Sequence, residues 1–199
     1  AELGTHVGNG ADDAGCGCAY PESIDDAVVE RSNRIHAALK QTARRHPDVL
    51  ARLEKSALAA RRRVGDLRIG VVHGDADTLA GWRFDAARLD DPAEREWQAA
   101  AFAAAEVDIF ASSHTCLPAM RRFDYQGEKL VANNGAAGMP NFRGERYGIA
   151  TRISISPARN PLYESRFGAV HVAAMALRYD VAAWERRFAA LWPPGSDAH

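Results

Sequence analysis

Two side chains with lone-pair donors, His114 and Cys116, stand two residues apart, soon after the apolar run at residues 109–111. His73 follows another apolar run in LRIGVVHGD, and Asn9 lies in the glycine-rich segment VGNGADD. Neutral imidazole, thiolate and amide oxygen can all donate to a divalent cation, and imidazole and thiolate favour zinc- or iron-type ions over magnesium. These residue types therefore allow a metal site. They equally allow hydrogen-bonded histidines and a thiol that packs as a small apolar group.

The pattern around these residues predicts the elements that position them. LRIGVVHGD reads as a buried strand that ends on His73, DPAEREWQAAAFAAAEV as a helix that starts after Asp91, and VDIFASS as the next strand. Strand, helix and strand with short connections favour parallel pairing. The carboxyl ends of such strands share one rim, where ligands of open α/β sheets bind. His73, His114, Cys116 and Asn9 are thus expected at one rim.

The rest of the chain supplies further layers. Helices are predicted from Ser23 onward and from Pro47, the second ending at the arginine triplet 61–63, whose charges suit a helix C-terminus. A hairpin is expected around Gln126 and Gly127, and YGIATRISIS and GAVHVAAMALRY alternate with period two, as strands do. DVAAWERRFAALW predicts a last amphipathic helix. The pattern indicates a sheet-rich α/β sandwich forming a single domain over residues 1–199.

Composition and charge exclude several classes of protein. Lys plus Arg (25) balance Asp plus Glu (26) over 199 residues, which gives no reason to expect nucleic acid or an anionic membrane as a partner. The sequence holds no run of about 18 apolar residues that would span a bilayer, and its start lacks the regions of a signal peptide. Three cysteines fit free thiols in a reducing compartment. We expect a cytoplasmic protein; the sequence does not indicate its oligomeric state.

Four blocks resemble, in order, the later motifs of the calcineurin-like metallophosphoesterases: VGNGADD, IGVVHGDADTLAGW, DIFASSHTCLPAMRRF and LVANNGAAGMPNFRG. The resemblance implies the family's four-layer αββα sandwich. It also implies hydrolysis of a phosphomonoester or phosphodiester, on a small phosphorylated substrate, through a metal-bound hydroxide. The family's opening DxH and GDxxD blocks have no counterpart before residue 9. The expectation is therefore a partial domain, without the N-terminal part of the sandwich.

The resemblance also implies a set of metal ligands. Asn9, His73 and His114 match ligands of one ion, and Cys116 occupies the place of the second His of the family's GHTH motif. A thiolate there would favour a softer ion. The implied cofactors are two divalent transition metal ions, Mn, Fe or Zn.

The leaving group needs a proton donor, for which many family members use a His directly after the asparagine of the GN turn. Here that place is Gly10. Asp12, Asp13 and Asp75 are weak candidates for the role, since a nearby carboxylic acid with a raised pKa could serve. Capping or loop-forming roles are at least as compatible with their positions.

Substrate contacts are implied farther along the chain. Asn134 and Gly135 match the family's turn on the substrate side of the site, and Arg143 could hold a phosphate bidentately or be a surface arginine. The missing acid His and the Cys at position 116 also leave open a non-catalytic scaffold or binding protein with the same fold.

Overall fold

The computed structural model describes residues 18, 20, 22–55 and 59–199. The chain divides into two compact units, one of Ala1–Leu58 with Tyr179–His199 and one of Ala59–Arg178. The single domain over residues 1–199 stays a prediction.

The first unit is helical where it is described. Its helices are α1 (Asp26–Ala43), α2 (Pro47–Glu54) and the last helix of the chain, Val181–Leu191. The side chain of Asp25 accepts a hydrogen bond from the Ala27 N–H and so caps α1, which begins three residues after the predicted start at Ser23. Asp180 caps the last helix in the same way. No helix in the described ranges has the length and apolar character needed to cross a bilayer.

The second unit carries a five-stranded sheet. Its strands are β1 (Ala60–Val64), β2 (Leu67–Val71), β3 (Ile109–Ser112), β4 (Pro118–Asp124) and β5 (Glu128–Asn134), in the spatial order β1-β2-β3-β5-β4. The three central strands, β2, β3 and β5, run parallel. Their carboxyl ends therefore lie at one edge, as the sequence predicted.

Strand β1 corrects one expectation. The arginine triplet 61–63 does not end a helix but lies in β1, which pairs antiparallel with β2 so that Arg61 faces Gly70 and Arg63 faces Arg68. Gly65, with φ of 57°, lies in the turn between the two strands. The triplet is exposed, as suits an edge strand that must avoid pairing with other chains.

Helices cover one face of this sheet. They are α3 (Ala86–Asp90), a 3₁₀ turn (Pro92–Glu94) and α4 (Arg95–Ala105), in the connection from β2 to β3. Phe102 on α4 packs against Phe110 with ring centroids 4.9 Å apart. The helix predicted after Asp91 is thus confirmed.

A second, antiparallel sheet covers the other face. Its strands are β6 (Gly148–Ser154), β7 (Tyr163–Phe167) and β8 (Val170–Leu177), in the order β6-β8-β7. The predicted strands β6 and β8 and the predicted hairpin of β4 and β5 are all present. Because side chains alternate along a strand, Ile109 and Leu130 point to the second sheet and pack with Val172. The α/β fold class is confirmed, with a helical layer and two stacked sheets in this unit.

Candidate functional site

Two of the predicted residues, His73 and His114, lie side by side beyond the ends of β2 and β3. The Ser113 N–H donates to the His73 carbonyl at 2.9 Å, which continues the parallel ladder past the strands. The His114 Nδ1 lies 3.2 Å from the His73 Nε2, and the ring centroids are 5.1 Å apart. The register of two neighbouring strands thus brings together two imidazoles that are 41 residues apart in the sequence.

A strained turn presents His114. Both His114 and Cys116 have positive φ, of 62° and 61°, a left-handed conformation that is uncommon for residues other than glycine. Between them, Thr115 is buried, and its N–H donates to the Ser113 carbonyl at 2.8 Å. Strain of this kind persists only where surrounding contacts hold it, and it is concentrated at functional sites.

Those contacts come from Asn133, a residue that the sequence did not single out. Asn133 is 1% exposed. Its Nδ2 donates to the Thr115 hydroxyl at 2.8 Å and to the Phe84 carbonyl at 3.0 Å, and its Oδ1 accepts from the Gly135 N–H at 2.9 Å. One buried amide therefore ties together the loops that follow β2, β3 and β5. Period-two alternation places Asn133 on the same face as Val131, which was the available sequence signal.

The loop after β2 adds an aromatic wall. Trp82 lies edge-to-face against His114, with ring centroids 5.4 Å apart. Asp75, a candidate acid, is buried at the centre of this loop. Its carboxylate accepts hydrogen bonds from the N–H groups of Asp77 at 3.0 Å, Thr78 at 3.1 Å and Arg83 at 3.3 Å. These contacts give Asp75 a loop-organising role, one of the two roles that its position suggested beside that of an acid.

The predicted substrate-side turn lies beyond β5. The Ser113 hydroxyl donates to the Gly135 carbonyl at 3.0 Å. Ser113 directly precedes His114, so this hydrogen bond joins the turn to the segment that carries His114. Asn134 uses its Nδ2 to donate to the Ile149 carbonyl at 2.8 Å, and Gly135 has φ of 69°. Arg143 is exposed in the loop that follows.

The imidazole pair fits a metal ion in its spacing. Two ligands of a tetrahedral ion with metal–nitrogen distances of about 2.0–2.1 Å lie roughly 3.3 Å apart, close to the 3.2 Å between the His73 and His114 nitrogens. A hydrogen bond between two neutral imidazoles would have a similar length.

Cys116, a further predicted ligand, is engaged elsewhere. Within the described ranges, no group of three or more His, Cys, Asp and Glu side chains could hold a metal ion. The Cys116 Sγ instead donates to the His114 carbonyl at 3.3 Å. Although the residue as a whole is exposed, burial of its thiol raises the pKa of Cys116, which disfavours the thiolate a metal needs. Asn9, Asp12 and Asp13 lie outside the described residues.

Comparison with solved structures supports the fold. A hypothetical protein from Pyrococcus horikoshii OT3 aligns with a TM-score of 0.61 at 14% identity, covering 98% of this chain and 68% of its own. A metallophosphoesterase from Sphaerobacter thermophilus aligns with a TM-score of 0.50 at 18% identity, covering 87% of this chain and 67% of its own. At these identities the likeness establishes the fold alone.

More remote matches add no argument. Vps29 from Chaetomium thermophilum aligns at 19% identity over 63% of this chain and 62% of its own, with a TM-score of 0.33, too low to establish a shared fold. No protein-family model matches the sequence, and no curated protein matches it. The chain thus shares its α/β fold with a metallophosphoesterase.

Proposed function

We propose that this chain belongs to the calcineurin-like metallophosphoesterases and hydrolyses a phosphomonoester or phosphodiester with divalent transition metal ions. One observation carries the proposal: two imidazoles from adjacent parallel strands approach to 3.2 Å at the carboxyl edge of the sheet. The fold of the metallophosphoesterase from Sphaerobacter thermophilus and the order of the four sequence blocks support it.

In this proposal, His73 and His114 bind one ion through the two nitrogens that face each other. A divalent ion held there supplies Lewis-acid activation of water and of a phosphoryl oxygen. The hydrogen bond between Asn133 and Thr115 holds the His114 turn in place. This support keeps the two imidazole nitrogens at the spacing of metal ligands without a rearrangement on binding.

Other roles follow from the same assignment. We assign Asn9 to the ion held by the two histidines, and the turn at Asn134 and Gly135 to the substrate side. Since the Asp75 carboxylate is engaged by its own loop, Asp12 or Asp13 is the better candidate for proton donation to the leaving group. Cys116 would need to turn away from the His114 carbonyl to bind a second ion. The expected substrate is a small phosphorylated molecule in the cytoplasm.

Metal analysis tests the proposal. The full chain, purified with Mn, Zn or Fe, should hold about two equivalents of metal, and His73→Ala and His114→Ala should each lose metal. His171→Ala is the matched control, because His171 pairs with Glu164 at 2.8 Å on the second sheet and has no part in the site. Hydrolysis of aryl phosphate monoesters and diesters should fall with the metal content.

Two outcomes would oppose this function. Equal metal content in His114→Ala and the parent protein would show that His73 and His114 form a hydrogen bond and not a metal site. Bound metal without hydrolysis of either ester class would favour the alternative, a non-catalytic scaffold or binding protein with this fold.

A further inference from the structure

We infer that the substrate carries an apolar, aromatic ester group, which binds to an apolar rim formed by Leu117, Met139 and Phe142. The inference rests on the proposed function and specifies its substrate class. These side chains are 53%, 49% and 43% exposed, respectively. All three belong to the loops that follow β3 and β5, the strands whose ends present His114 and Gly135.

Backbone contacts place the two loops beside each other. Gly135 lies so close to Pro118 that an added Cβ would come within 2.9 Å of the Pro118 nitrogen, and it would also clash with the Asn141 side chain. Leu117 directly precedes Pro118, and Phe142 directly follows Asn141. The rim residues at 117 and 142 are thus each one residue away from the same point of contact.

A second set of hydrogen bonds fixes the far part of the rim. The Asn141 Oδ1 accepts from the Ala136 N–H at 2.6 Å, and its Nδ2 donates to the carbonyls of Ala136 at 2.7 Å and Met139 at 3.3 Å. This side chain closes the loop on itself, so Met139 and Phe142 are carried on a braced turn. Exposed apolar side chains on a braced turn can bind a ligand without a large ordering cost.

The loops that carry the rim are connected to the imidazole pair through the chain and through one hydrogen bond. Leu117 lies three residues after His114, and the Ser113 hydroxyl holds the Gly135 carbonyl at 3.0 Å. Trp82 adds an aromatic face on His114 itself. A phosphoryl group at the imidazoles would therefore place its ester group against apolar side chains, while Arg143, in the same loop as Phe142, offers charge to the phosphate. Aromatic rings gain most from such contacts because they bury a large apolar area with few rotatable bonds.

Leu117→Ala, Phe142→Ala and the double variant of the full chain test this inference. Each would be assayed with naphthyl phosphate and with methyl phosphate, and with the methyl diester of each. Comparing one ester between variants cancels its intrinsic reactivity. We expect kcat/KM for the naphthyl esters to fall on the order of tenfold per variant, with the methyl esters unchanged. Ile155→Ala is the matched control, since Ile155 is 67% exposed but follows β6 on the second sheet.

Failure of the rim and failure of the proposed function give different results. Equal losses for naphthyl and methyl esters, or no loss, would overturn the rim while leaving the hydrolase in place. If the parent protein hydrolyses neither ester, its affinity for naphthyl phosphonate, followed by naphthyl fluorescence, decides the question. Weaker binding in Phe142→Ala would then support the rim without the hydrolase, and unchanged binding would reject it.

Discussion

The buried amide of Asn133 gives the sharpest prediction from this structure. In Asn133→Ala the Gly135 N–H, the Phe84 carbonyl and the Thr115 hydroxyl each lose a hydrogen bond of 2.8 to 3.0 Å. A buried polar group left without a partner costs about 1–3 kcal/mol. Water can enter and satisfy some of these groups, so we expect the free energy of unfolding to fall by about 3–5 kcal/mol.

Urea unfolding measures this difference, and Asn134→Ala is the matched control. Asn134 is the next residue in the same strand, and within the described part of the chain its side chain makes one hydrogen bond, to the Ile149 carbonyl. We expect the control to lose about 1 kcal/mol. For a protein of this size, a deficit of 3–5 kcal/mol corresponds to a melting temperature lower by roughly 6–20 °C. Equal destabilisation by the two variants would refute the assigned role of Asn133.

A second substitution at the same position tests the direction of the hydrogen bonds. Asn133→Asp keeps the shape and the acceptor for the Gly135 N–H, but it replaces the amide donor that faces the Phe84 carbonyl. An ionised carboxylate there would be buried against an acceptor, so its protonated form is favoured in the folded state. The raised pKa means that this variant should lose further stability as the pH rises. A pH-independent deficit would contradict the assignment of Nδ2 and Oδ1.

Two further predictions concern packing and charge. Gly81→Ala would drive its Cβ into the Asp75 carboxylate, whereas Gly138→Ala meets nothing within 4 Å. Only the first variant should therefore lower the free energy of unfolding in urea, by about 1–3 kcal/mol. Equal unfolding free energies of the two variants would refute the close packing. Desolvation alone would raise the pKa of Asp108, but hydrogen bonds, including one from Lys129 at 3.0 Å, outweigh it and hold that pKa below 3.8. A carboxyl group whose pKa is lowered by folding stabilises the protein at pH values above its pKa in the unfolded chain. The stability advantage of the parent protein over Asp108→Asn should therefore be full at neutral pH and be lost as the pH falls below about 3.8. A constant difference between the urea midpoints of the two proteins would contradict this.

The parallel part of the sheet could be predicted from the sequence because each of its strands carries a continuous apolar run. β3 and β5 have buried side chains on both faces, and such strands leave a clear signal. β1 and β7 left no such signal. Three consecutive arginines suit a helix C-terminus as well as an exposed edge strand, and YESRF in β7 has too few apolar residues to show its alternation. Antiparallel pairing with the next strand of the chain, β2 for β1 and β8 for β7, decided both cases.

The site could be predicted to the same depth. His73 and His114 follow apolar runs, so their approach followed from parallel pairing alone. Cys116 was expected beside them because of its spacing, but that spacing does not show that both His114 and Cys116 are left-handed. Asn133 was overlooked because an asparagine in a strand does not show which groups of distant loops it will bind. Its partner at the Phe84 carbonyl is 49 residues away in the sequence.

In the turn around His114, the free-energy cost of backbone strain is opposed by the hydrogen bonds of Asn133. Two left-handed residues that are not glycine cost about 1–3 kcal/mol each, and the three hydrogen bonds of Asn133 contribute about 0.5–1.5 kcal/mol each. The two sums are of similar size, so the net stability of the turn is small. Loss of the Thr115 to Asn133 bond should therefore let His114 relax toward an unstrained backbone before the two sheets separate. Thr115→Val should accordingly weaken the proposed metal binding, measured by metal analysis, while it lowers the free energy of unfolding little. Thr115→Ser, which keeps the hydroxyl, should retain both.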